Sequence, residues 1–138
     1  MQLDLPISTI GNGDQADLQT LLAPDENVLA TLDVDLDHEL RFRPGRLVLT
    51  GKRLLAHVAG APGASSEGWC DWPLREGLSL HHSDYAGVGC IELHDQHRRL
   101  ALWRFTLSVN VLALRWMAKV ERQLAQLNAP ATGPIDGD

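Results

Sequence analysis

Apolar and polar residues alternate from Val28 to Asp37, and this alternation predicts a β-strand with one buried face. Successive side chains of a strand point to opposite faces of its sheet, so a period of two separates a core face from a wet face. The core face would carry Val28, Ala30, Leu32, Val34 and Leu36. The wet face would carry Asp33, Asp35 and Asp37.

The returning strand must bring its apolar residues to the same face, which restricts the turn between the two strands. A three-residue loop over 37–39 would place Leu36 opposite Leu40 and Val34 opposite Phe42. A two-residue loop would instead place a charged residue on the core face, because a shift of one residue reverses every side chain. We therefore predict the three-residue loop, with Leu40 and Phe42 buried.

This register also predicts partners for the first basic residues. Asp35 would face Arg41 and Asp33 would face Arg43 on the exposed side of the hairpin. Exposed cross-strand pairs of this kind contribute about 0.2–1 kcal/mol each.

A second hairpin follows without a break. Pro44 and Gly45 are suited to a β-bulge that absorbs one extra residue, since proline lacks the amide donor and glycine tolerates a positive φ. Gly51 and Lys52 then form a tight turn in which Thr50 faces Arg53. The buried residues of this hairpin would be Leu47, Leu49, Leu54, Ala56 and Val58.

Four more apolar runs predict four more strands, over residues 69–74, 77–83, 87–94 and 99–105. The loop over 95–98 would place Leu93 opposite Leu100 and Ile91 opposite Leu102. Val88, Trp103 and Phe105 would then lie on the other face of the sheet. Because that face is also apolar, it would be covered.

Helical periodicity predicts the cover and a second, shorter helix. The final helix would span about 107–127, with Thr106 or Ser108 as its cap. Its apolar stripe recurs at three- and four-residue steps and comprises Val109, Leu112, Ala113, Trp116, Val120, Leu124 and Leu127. A short N-terminal helix would run from Asp14 to Ala23 and stop at Pro24, with Leu18, Leu21 and Leu22 on one side.

These elements predict a mainly β fold: a seven-stranded antiparallel barrel or sandwich capped by a C-terminal α-helix, with a short N-terminal helix. Its organisation would be an N-terminal arm over 1–27, one domain over 28–127 and a linker or tail over 128–138. Gly, Ala, Pro and Ser dominate 60–68, which predicts a loop.

Charge and composition restrict the partner. The net charge is −6, but residues 1–40 hold nine acids and no Lys or Arg, whereas 41–125 hold twelve bases against seven acids. The bases are spread over several segments and not interleaved with aromatic residues, which argues against nucleic acid. No export signal or run of eighteen apolar residues is present, so we expect a cytoplasmic chain in which Cys70 and Cys90 are small buried thiols.

Each candidate catalytic or metal site in the sequence has a simpler structural explanation. The spacing of Asp33, Asp35 and Asp37 resembles the opening of a calcium loop, but the glycine and glutamate positions of that loop hold His38 and Pro44. No activated nucleophile, carboxylate pair or phosphate-binding glycine turn before a helix is present. We therefore expect no enzyme activity, no cofactor and no metal.

The stretch "GRLVLTGKRLLA", Gly45 to Ala56, resembles the recurrent strand–turn–strand of small bacterial pleckstrin-homology and GRAM-like domains. Seven strands followed by one long helix extend the resemblance over about 28–127. The acidic N-terminal helix and the linker are similar to accessory domains of bacterial membrane machines such as ABC transporters.

The resemblance implies a non-catalytic regulatory or interaction module that binds a protein partner or a covalently following domain. In lipid-binding members, bases between the first strands hold a phosphoinositide head group. Arg41 and Arg43 match the second half of that motif, but aspartates stand where its leading bases would be. A phosphate would meet carboxylates there, so we do not expect phosphoinositide binding.

Lys52 and Arg53 are the two bases of the second hairpin without an assigned acid, and they complete the set of candidate binding residues together with Arg41, Arg43 and Trp69. Trp69 adjoins the glycine-rich loop and would be partly exposed, where it could anchor a partner. We expect a cytoplasmic interaction module, held at the inner face of the membrane only indirectly, through an assembly such as an ABC exporter. The alternative is a lipid or small-ligand binder that uses the open end of the barrel. The oligomeric state is left open.

Overall fold

The computed structural model describes residues 18–58 and 68–128, and seven strands account for most of them. The strands are β1 (Val28–Leu36), β2 (Phe42–Thr50), β3 (Arg53–His57), β4 (Trp69–Pro73), β5 (Ser79–Tyr85), β6 (Val88–His94) and β7 (Arg99–Thr106). A 3₁₀ turn (Leu107–Val109) leads into the C-terminal helix α1 (Asn110–Asn128). Residues 1–17 of the predicted arm, residues 59–67 of the predicted loop and the tail after 128 lie outside the described residues.

The fold is mainly β, as predicted, and is built from two antiparallel sheets. One sheet has the order β1-β2-β3-β4 and the other the order β5-β6-β7. Within the described ranges no ladder joins the two sheets, so of the predicted barrel or sandwich the structure shows an open sandwich and not a closed barrel. Among the described residues, the outer edges of β1, β4, β5 and β7 consequently have no partner strand.

The core lies between the two sheets and under α1. Leu47, Leu54, Ile91 and Phe105 are at most 1% exposed and bring both sheets into one apolar cluster. Helix α1 closes this cluster with a stripe that includes Ala113, Trp116, Met117, Val120 and Leu124. Deep burial of so many aliphatic side chains is the main stabilising contribution to the domain, at about 1.5–3 kcal/mol for each fully buried side chain.

The first hairpin differs from its predicted register. Leu36 faces Phe42 instead of Leu40, and Phe42 is 79% exposed. The connection is five residues long, because the buried Asp37 carboxylate accepts the backbone N–H groups of Glu39 and Arg41 and thereby organises the loop. Leu40 has a φ of 64° in this loop and also points outward.

The pairing of charges in this hairpin changes with the register. Asp33 faces Arg46 and accepts a hydrogen bond of 2.8 Å from its Nε, so the predicted pair of Asp33 with Arg43 is wrong. A bulge is present one residue earlier than predicted, because β2 holds two residues, Arg43 and Pro44, opposite the single Asp35 of β1, while Gly45 pairs with Val34.

The second hairpin is confirmed, and its outer face carries a second hydrophobic cluster. Leu49 faces Leu54 across a two-residue turn, and the predicted inward residues lie in the core. On the opposite face, Val48 and Leu55 pack with Trp69 and Leu18. A helical turn over 18–21 supplies this cover, with Leu21 and Leu22 at its edge, so the central strands of the sheet are buried on both faces.

The β6–β7 hairpin is shifted by one residue from the predicted register. Leu93 faces Ala101 and Ile91 faces Trp103, because Leu100 is an extra residue opposite the step from Leu93 to His94. Ile91, Leu93, Trp103 and Phe105 therefore share the core face, and the predicted separation of Trp103 and Phe105 from the core leucines is wrong. A Cβ on Gly89 would lie 2.2 Å from the Phe105 ring, so glycine is required for this packing.

The start of the final helix is held from another strand. Thr106 is the N-cap residue, but its side chain makes no capping hydrogen bond to the first turn. Instead the Asp35 carboxylate of β1 accepts the Thr106 N–H at 2.8 Å and its hydroxyl. Asp35 therefore ties β1 to the end of β7, and its predicted pairing with Arg41 is wrong.

Candidate functional site

The bases of the first hairpin surround the buried carboxylate of Asp37. The Arg41 Nε lies 3.5 Å and the Arg43 Nε 3.8 Å from Asp37 Oδ2. The Arg41 guanidinium also contacts Glu39. Backbone N–H donation from Arg41 is the main cause that lowers the Asp37 pKa, so this carboxylate stays charged. Both arginines of this hairpin therefore already contact carboxylates of the β1–β2 loop.

The second hairpin contains an internal ion-pair cluster, which we call the Glu26–Arg53 cluster. Arg53 Nε donates to Glu26 Oε2 at 2.9 Å and Nη2 donates to Oε1 at 3.0 Å, which is a bidentate pair. Nη2 also donates to the Leu21 carbonyl at 2.6 Å, and Nη1 donates to Asp71 Oδ2 at 2.8 Å. The Thr50 hydroxyl also donates to Glu26 Oε2.

Arg53 strongly stabilises the charged form of the Glu26 carboxylate. The side chain of Glu26 is 2% exposed and that of Arg53 21% exposed. Hydrogen bonding by Arg53, supported by Thr50 and the Ala23 N–H, lowers the pKa of Glu26 from 4.5 to about 2 against the opposing effect of burial. The cluster links the N-terminal helical turn to β3 and β4.

Lys52 also has an acidic partner. Its Nζ lies 2.8 Å from Asp25 Oδ1, in an ion pair whose two side chains are 53% and 74% exposed. Each of the four predicted basic residues thus contacts an acid from a neighbouring segment. Such compensation is typical of structural ion pairs rather than of an anion-binding surface.

Trp69 is buried, so its predicted partial exposure is wrong. Only 3% of its surface is exposed, because the helical turn at 18–21 covers it and the His57 ring lies 5.0 Å away. Arg41 and Arg43 lie near one end of β2, whereas Lys52 and Arg53 follow its other end. The nine residues of β2 separate these pairs by roughly 25 Å at 3.3 Å per residue. The predicted site residues therefore do not form one site.

Helix α1 and the 3₁₀ turn before it present an exposed apolar surface that lies outside the predicted buried stripe. Leu107 in the 3₁₀ turn is 44% exposed, and Val111 and Leu114 in α1 are 60% and 46% exposed. Steps of four and three residues place them on one side. We call these three residues the α1 stripe. Leu112, which was predicted to be buried, is 56% exposed.

A cavity of about 360 Å³ lies between the unpaired edges of β4 and β7, and we call it the edge cavity. One wall is formed by consecutive residues 99–104 of β7 and the other by Cys70 and Trp72 of β4. His38 from the β1–β2 loop and Ala56 of β3 complete it. None of these residues was predicted from the sequence as a binding residue, because they come from four segments that are distant in the chain.

Burial is the main cause of the pKa shifts of Cys70, Cys90 and His38. Burial raises the pKa values of the half-buried Cys70 and Cys90 thiols, which makes both poor nucleophiles. Burial is also the main cause that lowers the pKa of His38. Within residues 18–58 and 68–128, no three His, Cys, Asp or Glu side chains are grouped so as to hold a metal ion.

Comparison with known proteins gives a fold relationship. No protein-family model matches the chain, and no curated protein matches its sequence significantly. Among solved structures, the hSac2 domain from the human phosphoinositide phosphatase Sac2 matches with a TM-score of 0.50 and 15% sequence identity. The match covers 91% of this chain and 84% of that one. At this identity the similarity concerns the fold alone.

Proposed function

We propose that this chain is a non-catalytic, pleckstrin-homology-like module that binds a protein partner or a domain that follows it. The four-plus-three arrangement of strands and the C-terminal helix support the fold assignment, together with the Gly45–Ala56 motif. A domain of a phosphoinositide phosphatase has a similar fold, but the acids around Arg41 and Arg43 argue against a phosphoinositide here.

The α1 stripe is the observation that carries this proposal. Three large aliphatic side chains, one in the 3₁₀ turn and two in α1, remain between 44% and 60% exposed, while the opposite side of α1 is buried. Contiguous exposed apolar surface is a mark of protein interaction sites. The covering partner would bury the stripe as a groove buries an amphipathic helix.

The proposed setting is a larger bacterial membrane assembly such as an ABC exporter, at the inner face of the membrane. This setting rests on the sequence resemblance alone. No helix among the described residues is long and apolar enough to cross a bilayer. In the proposed setting, the partner supplies the membrane contact.

Site-specific photo-crosslinking in cells of the species that encodes the chain tests this proposal. A photoreactive residue at Val111 should give one discrete crosslink to a membrane-assembly protein, identified by mass spectrometry. The same probe at Glu76, in an exposed turn, is the matched control and should give none. Adding Leu107→Asn and Leu114→Asn to the Val111 probe should abolish the crosslink without changing the unfolding curve.

Two results would count against the proposal. Equal crosslinking from Val111 and Glu76 would mean that the stripe has no specific partner. A crosslink only to a second copy of the chain would make the stripe a homodimer contact instead.

A further inference from the structure

The edge cavity has the size and position of a ligand site rather than of a packing defect. Its volume of about 360 Å³ lies within the range of roughly 300–1,000 Å³ that is typical of small-molecule pockets. It is open because β4 pairs only with β3, and β7 only with β6, in the part of the chain that the structure describes. It is also separate from the α1 stripe, since no residue of α1 lines it.

One part of the cavity wall is apolar and rigid. The Trp72 and Trp103 rings pack edge to face with their centroids 5.5 Å apart, which fixes the orientation of Trp72. Ala56 and Leu100 continue this surface. An aliphatic or flat aromatic body would find contacts here, and pre-formed walls reduce the entropic cost of binding.

The charges around the cavity all have one sign. Arg99 and Arg104 line it, and none of its lining residues is Asp or Glu. Arg99 has only a 3.5 Å contact to Glu92 on the neighbouring strand. Arg104 forms no ion pair with the described residues, in contrast to the bases of the two hairpins.

His38 adds a polar group on the opposite side of the cavity. Its Nε2 is buried and has no hydrogen-bond partner among the described residues. His38 and Arg104 line the same cavity. After burial, the charge of Arg104 is the next cause that lowers the His38 pKa, against the opposing effect of Asp37. An anionic group between the two side chains would accept the hydrogen bond that His38 Nε2 lacks and would neutralise the Arg104 charge.

We infer that the edge cavity binds a small organic anion whose carboxylate lies between Arg104 and His38 and whose apolar body lies against Trp72. The guanidinium donates to the carboxylate in a charge-assisted hydrogen bond. Desolvated walls strengthen this interaction because the local dielectric constant is low. The inference concerns a different surface from the proposed protein contact and does not depend on it.

Addition of an extended peptide to the β7 edge is the competing occupant. Charged side chains along an edge strand usually prevent strand addition. Arg99 and Arg104 stand at the two ends of the β7 segment that borders the cavity. The observations therefore favour the small anion.

Titration of the full chain with octanoate tests the inference, with tryptophan fluorescence and amide NMR shifts as readouts. Octanoate should bind and shift the amides of β4 and β7. Octylamine and 1-octanol, which lack the anionic charge, and inorganic phosphate, which lacks the apolar body, should each bind at least about tenfold more weakly. Variants with an altered α1 stripe should bind octanoate as the natural chain does.

The decisive variant is Arg104→Gln, which should weaken octanoate binding by about tenfold or more. Arg98→Gln is the matched control, because Arg98 is exposed in the adjacent turn and its loss changes the net charge equally. Unfolding curves of both variants verify that they fold. Equal weakening by both variants, or no saturable octanoate binding, would overturn the inference. Shifts at β7 caused by an extended peptide but not by octanoate would assign the edge to strand addition and would also overturn it.

Discussion

Arg53 and Arg104 both lie on strands at the surface of the sandwich, but their surroundings are opposite. The Arg53 guanidinium contacts two carboxylates and a backbone carbonyl. Arg104 borders a cavity without an acid among its lining residues. A base whose charge is compensated within its own chain stabilises the fold, whereas an uncompensated base beside an apolar cavity is available to a ligand.

The contrast arises from what each segment can place nearby. The backbone turn between Ala23 and Glu26 points the Glu26 carboxylate at the β2–β3 hairpin, where Thr50 and Arg53 donate to it. At the edge of β7, the opposing strand β4 offers Cys70 and Trp72, neither of which carries a charge. The two arginines therefore support different predictions for stability and for binding.

The largest expected effect is the loss of the Glu26–Arg53 pair. Glu26→Gln removes the bidentate acceptor and leaves Arg53 only partly compensated, so the free energy of unfolding should fall by about 3 kcal/mol. Urea denaturation at neutral pH measures this change. The matched control is Asp25→Asn, which breaks the exposed pair with Lys52 and should leave the free energy nearly unchanged. Similar losses in the two variants would mean that burial of the pair does not decide its contribution.

The pH dependence of the free energy of unfolding gives a second test of the Glu26–Arg53 pair. The Glu26 pKa is 4.5 as an ordinary side chain and about 2 in the folded chain, mainly because Arg53 donates to it. A lowered folded pKa means that the unfolded chain binds this proton first. The stabilisation is therefore complete above pH 4.5 and is lost as the pH falls towards 2, with a total of roughly 3 kcal/mol.

The difference in unfolding free energy between the natural chain and Glu26→Gln isolates this effect. Other carboxylates with lowered pKa values, such as Asp37 and Asp95, titrate in both proteins and cancel. The difference should shrink between pH 4.5 and pH 2. A constant difference over that interval would show that Glu26 does not titrate as described.

The elements of the fold could be predicted from the sequence because the core is strongly patterned. Alternation located β1, and three- and four-residue spacing located α1. The registers failed where a single residue is added or withdrawn. Leu100 shifts the β6–β7 pairing by one position, and the Asp37 loop turns Phe42 outward. Hydrophobic pattern alone does not contain the backbone hydrogen bonds that stabilise such irregularities.

One missed feature did leave a signal in the sequence. The runs "LVL" at 47–49 and "LLA" at 54–56 are continuously apolar instead of alternating. Continuous apolar strands are typical of sheets buried on both faces. That pattern predicts the cover that Leu18 and Trp69 provide, and with it the burial of Trp69.

The two charged regions differ in how far they could be predicted. Glu26 and Arg53 are separated by 27 positions. The helical turn that precedes Glu26 in the chain has only a weak local sequence pattern. The edge cavity depends on the spacing between two sheets that do not pair. Sequence periodicity determines which face of a strand is buried, but it does not determine whether two sheet edges meet.

The smallest expected effect concerns the pair of Arg104 and His38. Arg104→Gln removes a charge without an ion-pair partner among the described residues, so the free energy of unfolding at neutral pH should change by less than about 0.5 kcal/mol. The same variant should raise the pKa of His38, because the guanidinium is one cause that lowers it, while Asp37 acts in the opposite direction. Burial is unchanged and is the largest cause, so the pKa should remain below 6.5.

An NMR titration of the His38 ring protons measures this shift, with Arg98→Gln as the control that should leave the pKa unaltered. The sign also predicts stability, because a lowered folded pKa means that the unfolded chain takes up the proton first as the pH falls through 6.5. The natural chain therefore loses stability at His38 on mild acidification, and Arg104→Gln loses less of it. An unchanged His38 pKa in Arg104→Gln would show that the two side chains do not face each other across the edge cavity. The charge of Arg104 would then not act on the cavity, and the contrast with Arg53 would fail.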